Sequence, residues 1–370
     1  MRTVHLADNY LVVSHTTGGK GVEEFNVLDV RCQHNGLEIC EHRRWLPVGC
    51  AWTFDCCGDT MAVGGEDGRV GVWDLKTGAK SLAFDGHTSE IKCVSFPDAE
   101  TIISGATDGS LIVWDVPSGT RRHTLEEPCG TAYLKPITSL KSHDNLLVSG
   151  IGRGIVQIWD LNNGHSRGLQ EGHDGCVVVS EFNADRSLLA TGATGGEVKI
   201  WNVNSGACIA SCLGHTRVVN QLTTDPDDAG LLISASADGW IRTWKWDTGA
   251  SVHTFWAGDS SAGRNAICGV VWTKDLMITG AVNGLLRAWD RQTHQVRFDL
   301  RERQGEVYKF AAKGGLLAVV VWLENGKHLV ELYNISELDH ERSRFVNKNE
   351  DLSGSSLVMN LNLQNLVIAK

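Results

Sequence analysis

Between Gly86 and Gly119 short apolar runs alternate with tight polar turns. Ile91 to Phe96, Thr101 to Ser104 and Leu111 to Val113 are the runs; Thr107-Asp108-Gly109 is a turn, and Trp114-Asp115 closes the third run. Runs of this length read as strands, and Asp-Gly is the short-range hairpin signal. A fourth strand follows the Pro117-Ser118-Gly119 turn. The third strands are apolar on both faces, as in Leu111-Ile112-Val113, Val156-Gln157-Ile158 and Val198-Lys199-Ile200. A four-stranded meander of this kind cannot bury both faces alone, so it must stack against copies of itself. Outer strands such as Thr120-Arg121-Arg122-His123-Thr124-Leu125 are mixed, as expected of an exposed edge that must resist pairing.

The chain supplies the copies. Third-strand anchors fall at Phe25, Trp73, Trp114, Trp159, Trp201, Trp244, Trp289 and Tyr333, at intervals of 48, 41, 45, 42, 43, 45 and 44 residues. Trp73-Asp74, Trp114-Asp115, Trp159-Asp160 and Trp289-Asp290 recur in register with Gly86-His87, Gly172-His173 and Gly214-His215. Over essentially its whole length the sequence resembles the WD40-repeat family, whose repeats of about 40–45 residues each build one propeller blade. The resemblance implies an all-β fold, a WD40 β-propeller of four-stranded antiparallel blades. Eight anchors imply eight blades, with seven plus an extra terminal sheet as the competing count. Family rings close by combining both termini in one blade. The propeller is expected over 1–338. In 339–370, a polar segment precedes two terminal strands, Leu357 to Leu363 and Leu366 to Ala369, which resemble the start of another unit and would close or extend the ring.

Composition narrows the function. The net charge is −10, which argues against a general nucleic-acid surface, since backbone binding needs clustered Lys and Arg. Eleven cysteines without small-scaffold spacing, in a chain long enough to build its own core, point to reduced thiols and a cytoplasmic or nuclear location. The first residues, MRTVHLADNYLVV, lack the apolar core of a signal peptide, and the longest apolar run, Leu316 to Leu323, is far short of a membrane span.

Two units hold a full polar set: His87, Ser104, Asp108 and Trp114, and His215, Ser234, Asp238 and Trp244. The resemblance implies that each set forms a buried hydrogen-bond chain, from indole through hydroxyl and imidazole to carboxylate, tying one blade together. The unit of His173, Thr191 and Trp201 has Gly195 at the carboxylate position. The unit of Trp73 has Val63 at the hydroxyl position; Ser149 and Thr279 keep only the hydroxyl, with Arg153 and Asn283 at the Asp position. Those units are expected to rely on packing. Read as a Ser-His-Asp catalytic group the sets fail, because no Gly-x-Ser-x-Gly elbow occurs and the pattern repeats locked to a Trp. Cys32-x-His34 and Cys40-x-His42 lack the tighter pairing of zinc sites, and Gly150-x-Gly152-x-Gly154 is a strand turn with no helix to cradle phosphate. No catalytic residue, cofactor or metal is expected.

Partners are expected on the face carrying the His and Asp of the sets. Register places Arg43, Arg44, Trp45, Arg69, Lys92, Arg153, Arg217, Trp240, Trp256 and Arg264 there. Trp and Arg are enriched at interaction hot spots, and an Arg-rich rim on an acidic protein suits an acidic or phosphorylated peptide. Glu66, Asp85, Glu90, Glu126, Glu127, Glu171 and Asp259 occupy the same loops and temper that charge. The chain is also somewhat similar to the propellers of F-box/WD40 ubiquitin-ligase substrate receptors. Of the positions that read phosphorylated motifs there, here Lys92, Val178, Asn220 and Tyr308, only Lys92 matches. No F-box-like helical segment precedes the propeller, so the likeness extends at most to a receptor fragment or a diverged relative. The expected function is a non-catalytic scaffold within a larger complex, holding a protein or peptide. The alternative is a ubiquitin-ligase substrate-recognition subunit; a propeller enzyme and an RNA-binding protein rank below both.

Overall fold

A computed structural model describes residues 4–6, 10–17, 22–33, 36–45, 51–125, 136–152, 154–168, 172–258, 265–301, 305–313, 315–322, 328–335 and 358–362. Among them there is no helix. Eight four-stranded antiparallel sheets follow one another along the chain, over 4–45, 51–85, 91–125, 137–168, 177–212, 219–256, 267–301 and 306–362. Every strand pairs with its sequence neighbour, which tight turns enforce. Thr101–Ala106 and Leu111–Asp115, for example, pair from Thr101↔Asp115 to Gly105↔Leu111.

The apolar third strands are buried between sheets as their pattern requires. Val70, Val72 and Phe84 of the second sheet pack against Ile91, Ile102, Ile112 and Trp114 of the third. Equivalent clusters join each later pair of neighbours, and Leu6, Leu11 and Val13 of the first sheet pack on Ala318, Val320 and Leu332 of the last. Trp114, Trp159 and Trp201 are almost wholly buried, each burial removing a large apolar surface from water. Close approach at the inner edge depends on glycine. A Cβ at Gly64 would lie 2.5 Å from Ile91, and one at Gly105 would lie 2.7 Å from Ile137.

Three expectations change. The first sheet pairs Leu11↔Leu28 and Tyr10↔Asp29, the register in which the second pairs Met61↔Trp73 and Thr60↔Asp74. Leu28-Asp29, not Phe25, therefore occupies the Trp-Asp place, and the first interval falls to 45 residues like the others. No Trp marks the position, and Phe25 is the nearest aromatic residue, although the spacing of the other anchors fits Leu28. Second, Val358–Asn362 pairs with His328–Asn334 as the outer strand of the last sheet, from Leu329↔Asn362 to Tyr333↔Val358, rather than opening a further unit. Third, among the described residues the first and last sheets each use their own strands and meet through side-chain packing, where a blade shared by both ends of the chain was expected. Leu366 to Ala369 lies outside the described residues.

Candidate protein-binding face

Antiparallel order places the turns between second and third strands, and the loops between sheets, at one end of every sheet. The hydrogen-bond sets organise that end. In the sixth sheet Trp244 Nε1 donates to Ser234 Oγ at 2.9 Å, Ser234 meets His215 Nε2 at 2.8 Å, and His215 Nδ1 lies 3.0 Å from Asp238. The indole can only donate, so the Ser234 hydroxyl accepts from it and donates to Nε2, with Nδ1–H facing the carboxylate. Burial opposes ionisation of Asp238, but bonds from His215 and from the Trp240 and Thr216 backbone N–H groups hold its pKa down at about 2.

The other two His units complete the chain differently. In the third sheet Trp114 and His87 both meet Ser104, at 2.8 and 2.7 Å, but His87 Nδ1 contacts Ser110 Oγ at 2.7 Å. Ser110 then donates to Asp108 at 2.6 Å, so the carboxylate expected on the imidazole is one hydroxyl removed. Asp108 also sits at about 2: burial works against this, but Ser110, Thr88 and Ser89 donate to it. In the fifth sheet Trp201 donates to Thr191 at 2.8 Å, Thr191 meets His173 at 2.7 Å, and Glu197 accepts from His173 Nδ1 at 3.0 Å. Glu197 thus replaces the carboxylate missing at Gly195, and this unit does not rely on packing alone. Ser110 and Glu197 both stand two residues beyond the expected Asp position, just before the third strand and after a left-handed glycine, Gly109 or Gly196. That spacing was the available signal. Ser149 and Thr279 accept from Trp159 and Trp289, at 2.9 and 2.8 Å.

The expected partner-binding residues divide on this scaffold. Arg69 pairs with Asp85 and Lys92 with Glu90, each at 2.6 Å, so neighbouring carboxylates already meet two of the cations. Arg43, Arg44 and Trp45 lie on Gly36–Trp45, opposite Val27, Asn26 and Phe25. Arg153 and Arg264 lie outside the described residues. Trp240 and Trp256 come together: they pair across strands, with ring centroids 5.3 Å apart and planes at 71°, and Trp256 is 36% exposed. The edge-to-face arrangement leaves ring surface available to a third group. Arg217, in the loop leading into the same sheet, is exposed, and its carbonyl accepts from Ser236.

Two residues at this place carried no motif. Arg242 stacks on Trp240 at 5.9 Å and donates to the Gly214 carbonyl at 3.0 Å, while its buried Nε finds no acceptor. Leu213, beside Gly214, is 72% exposed, the most exposed large apolar residue described. The combination is an aromatic pair, an aliphatic neighbour and two guanidinium groups. It can hold apolar and carboxylate side chains; nothing in it supplies a nucleophile. No group of three or more His, Cys, Asp or Glu among the described residues is placed to hold a metal. No helix among them is long and apolar enough to cross a membrane.

Comparison with known proteins agrees with this architecture. The family model "WD domain, G-beta repeat" matches residues 37–74, 78–115, 164–202 and 206–245. Each matched window ends within a residue of the end of a third strand, so the sequence repeat straddles two sheets. The chain is 28% identical over 205 residues to WD repeat-containing protein pop1 of Schizosaccharomyces pombe, covering 55% of this chain and 21% of that protein. It is 28% identical over 258 residues to Mitochondrial division protein 1 of Eremothecium gossypii, covering 62% and 35%. A 43-residue stretch is 46% identical to the tRNA (guanine-N(7)-)-methyltransferase non-catalytic subunit wdr4 of Xenopus laevis, covering 12% and 11%. The chain thus spans well under half the length of these curated relatives. Among solved structures, the computationally designed Ika8 protein superposes with a TM-score of 0.69 at 23% identity, over 88% of this chain and 94% of that one, a likeness of fold.

Proposed function

The chain is a WD40-repeat protein, and from that premise we propose that it is a non-catalytic scaffold holding a protein partner at the His/Asp end of its fifth and sixth sheets. The observation that carries the proposal is the Trp240–Trp256 pair, with Trp256 exposed, Arg242 stacked on Trp240 and bonded to the Gly214 carbonyl, and Leu213 exposed next to Gly214 in sequence. Monomers bury most large apolar side chains, and aromatic residues with arginine are what interface hot spots are made of. The partner contributes an apolar side chain to the tryptophans and a carboxylate or phosphate to the arginines. In this reading the eight sheets close as an eight-bladed ring over 1–338, completed from 339–370, in the cytoplasm or nucleus.

The test is affinity purification with mass spectrometry. Wild type is compared with Leu213→Ser/Trp256→Ala and, separately, with Arg217→Glu. Loss of a specific partner from a variant of unchanged melting temperature supports the proposal. The same partners from both folded variants would remove it.

A further inference from the structure

Among the described residues, every sheet ends in an outer strand whose far edge pairs with nothing. Such an edge can accept a strand from another chain unless charge, proline or shortness discourages it. Most outer strands here are guarded in that way. Gly36–Trp45, Lys80–Asp85, Thr120–Leu125 and Val296–Arg301 each carry at least two charged residues, and Ser166–Gly168 is three residues long and holds Arg167. Cys208–Cys212, Ser251–Trp256 and Val358–Asn362 carry no Asp, Glu, Lys, Arg or Pro, and Ser251–Trp256 is the longest of the three.

The backbone of Ser251–Trp256 is ready to pair. Its register runs unbroken from Thr243↔His253 to Trp240↔Trp256, the bulge falling before this stretch, at Val252. The Ala257 N–H bonds inward to the Gly239 carbonyl. Backbone direction alternates along an antiparallel strand, so Phe255 and His253 also turn inward, while Trp256 and Thr254 direct N–H and C=O outward. Every residue of the strand except Phe255 is exposed.

Apolar surface gathers at the same place. Of the large apolar side chains exposed among the described residues, Ile209, Leu213, Val252, Trp256 and Val296 lie on or directly after the outer strands of the fifth to seventh sheets, and only Val178 lies elsewhere. In the second and third sheets the residue following the buried outer-strand position, Phe84 or Leu125, is acidic: Asp85 and Glu126. Register puts Leu213 and Trp256 at that place in the fifth and sixth. Where the earlier sheets carry a charge that discourages pairing, these carry apolar side chains.

The two faces of the strand differ. His253 and Phe255 lie against His294 of the seventh sheet, with ring centroids 4.9 and 5.2 Å from it. Thr254 and Trp256 stand on the other face, opposite Arg242 and Trp240. An added strand with its own residues level with Thr254 and Trp256 therefore continues the surface of the Trp240–Trp256 pair.

We propose that an extended segment of a partner protein adds to Ser251–Trp256 as a fifth strand of the sixth sheet. It pairs with the outward backbone groups of Thr254 and Trp256 and lays an apolar side chain against Trp256. This mode rests on the reading that a partner binds the Trp240–Trp256 face, and it supplies how the partner binds: main-chain bonds give affinity, and alternate side chains give selection. A second copy of this chain fits less well, because its Ser251–Trp256 would bring no carboxylate to the arginines of that face.

The test titrates the full chain with the peptide acetyl-Thr-Val-Thr-Val-Asp-Asp-amide while following amide hydrogen exchange by NMR. Strand addition should slow exchange at Thr254 and Trp256 about tenfold at saturating peptide, leaving the inward Phe255 amide little changed. Two further versions of the peptide are N-methylated at alternate residues, odd in one and even in the other. One of them blocks the bonding edge and should bind about tenfold more weakly than the other. Thr254→Pro removes an N–H that the sheet does not use, a placement edge strands tolerate. It should abolish the protection at Trp256 without lowering the melting temperature, and in affinity purification it should lose the partner that Leu213→Ser/Trp256→Ala loses. Loss from Thr254→Pro alone would support the strand edge and remove the tryptophan reading. Unprotected Thr254, equal binding of both methylated peptides, or a partner kept by folded Thr254→Pro but lost from the tryptophan variant would overturn strand addition, the last leaving the face itself standing. Protection of Thr254 without peptide, rising with protein concentration as a dimer sediments, would assign the edge to a second copy and likewise overturn it.

Discussion

The sixth and the last sheets tie down their third-strand anchors by different physics. In the sixth, Trp244 is held within its own sheet and the loop leading into it, through Ser234 and His215 to Asp238. In the last, Tyr333 donates to Glu331 at 2.7 Å, and Glu331 pairs at 2.9 Å with Arg301 of the preceding sheet, which also donates to the Gly284 carbonyl. The Arg301 and Glu331 side chains are only 8% and 9% exposed. The first arrangement makes one sheet rigid; the second clamps two sheets together. Burying a charge pair is tolerable only while both members stay, because either alone is left in a medium that solvates it poorly. A chain of single hydrogen bonds, its carboxylate held by several donors, fails more gently, one bond at a time.

The sharpest way to break that contrast is Glu331→Ala. It leaves Arg301 buried without a counter-charge and should cost about 3–5 kcal/mol, measured by urea unfolding. Arg301→Met/Glu331→Leu together should recover most of the loss, and if it does not, the pair is more than a local clamp.

Ser234→Ala comes next. It strands both Trp244 and His215, at about 1–3 kcal/mol for each buried group left unpaired. Ser149→Ala strands Trp159 alone among the bonds described and should cost about half as much. Equal losses would show that the imidazole adds nothing.

The fifth sheet offers a rescue. Glu197→Ala should destabilise by about 1–2 kcal/mol, and Gly195→Asp in that background should restore part of it. A Cβ at Gly195 meets nothing within 4 Å, so the substitution is sterically free. Absence of any recovery would mean that position 195 cannot reach His173.

The smallest effect is graded by pH. Burial lowers the pKa of His87 and of His173 from 6.5. The unfolded imidazole therefore takes up its proton first, and the stability these residues contribute is full above pH 6.5 and declines below it. Asp108 and Asp238 are lowered from 3.8 to about 2, so their contribution is full above about 4 and disappears as pH falls towards 2. Unfolding midpoints followed by tryptophan fluorescence should be level near neutrality, then fall in two stages. A single transition below pH 4 would show that the histidines do not contribute.

Most of the fold was legible because it is local. A strand, a tight turn and the next strand fix their own register. Hence Trp114 and Ser104, Trp159 and Ser149, Trp201 and Thr191, Trp244 and Ser234, and Trp289 and Thr279 all meet at a separation of ten residues. The candidate face was legible only in part. Trp240, Trp256 and Arg217 stood out by residue type and position, but no repeat pattern marks Leu213 or Arg242. Sequence placed Asp85 and Glu90 in the same loops as Arg69 and Lys92, but only the structure shows that these pairs meet.

By itself, then, the amino-acid order determined the period, the stacking of strands apolar on both faces, and the hydroxyl each anchor tryptophan meets, since hairpin geometry leaves no alternative. Tertiary structure alone decided that Ser110 relays His87 to Asp108, that Glu197 substitutes for Gly195, that Arg301 reaches Glu331, and that His294 stacks on Phe255. These contacts depend on how far a side chain reaches from a loop and on the gap between neighbouring sheets. Neither distance is written in the spacing of residues along the chain.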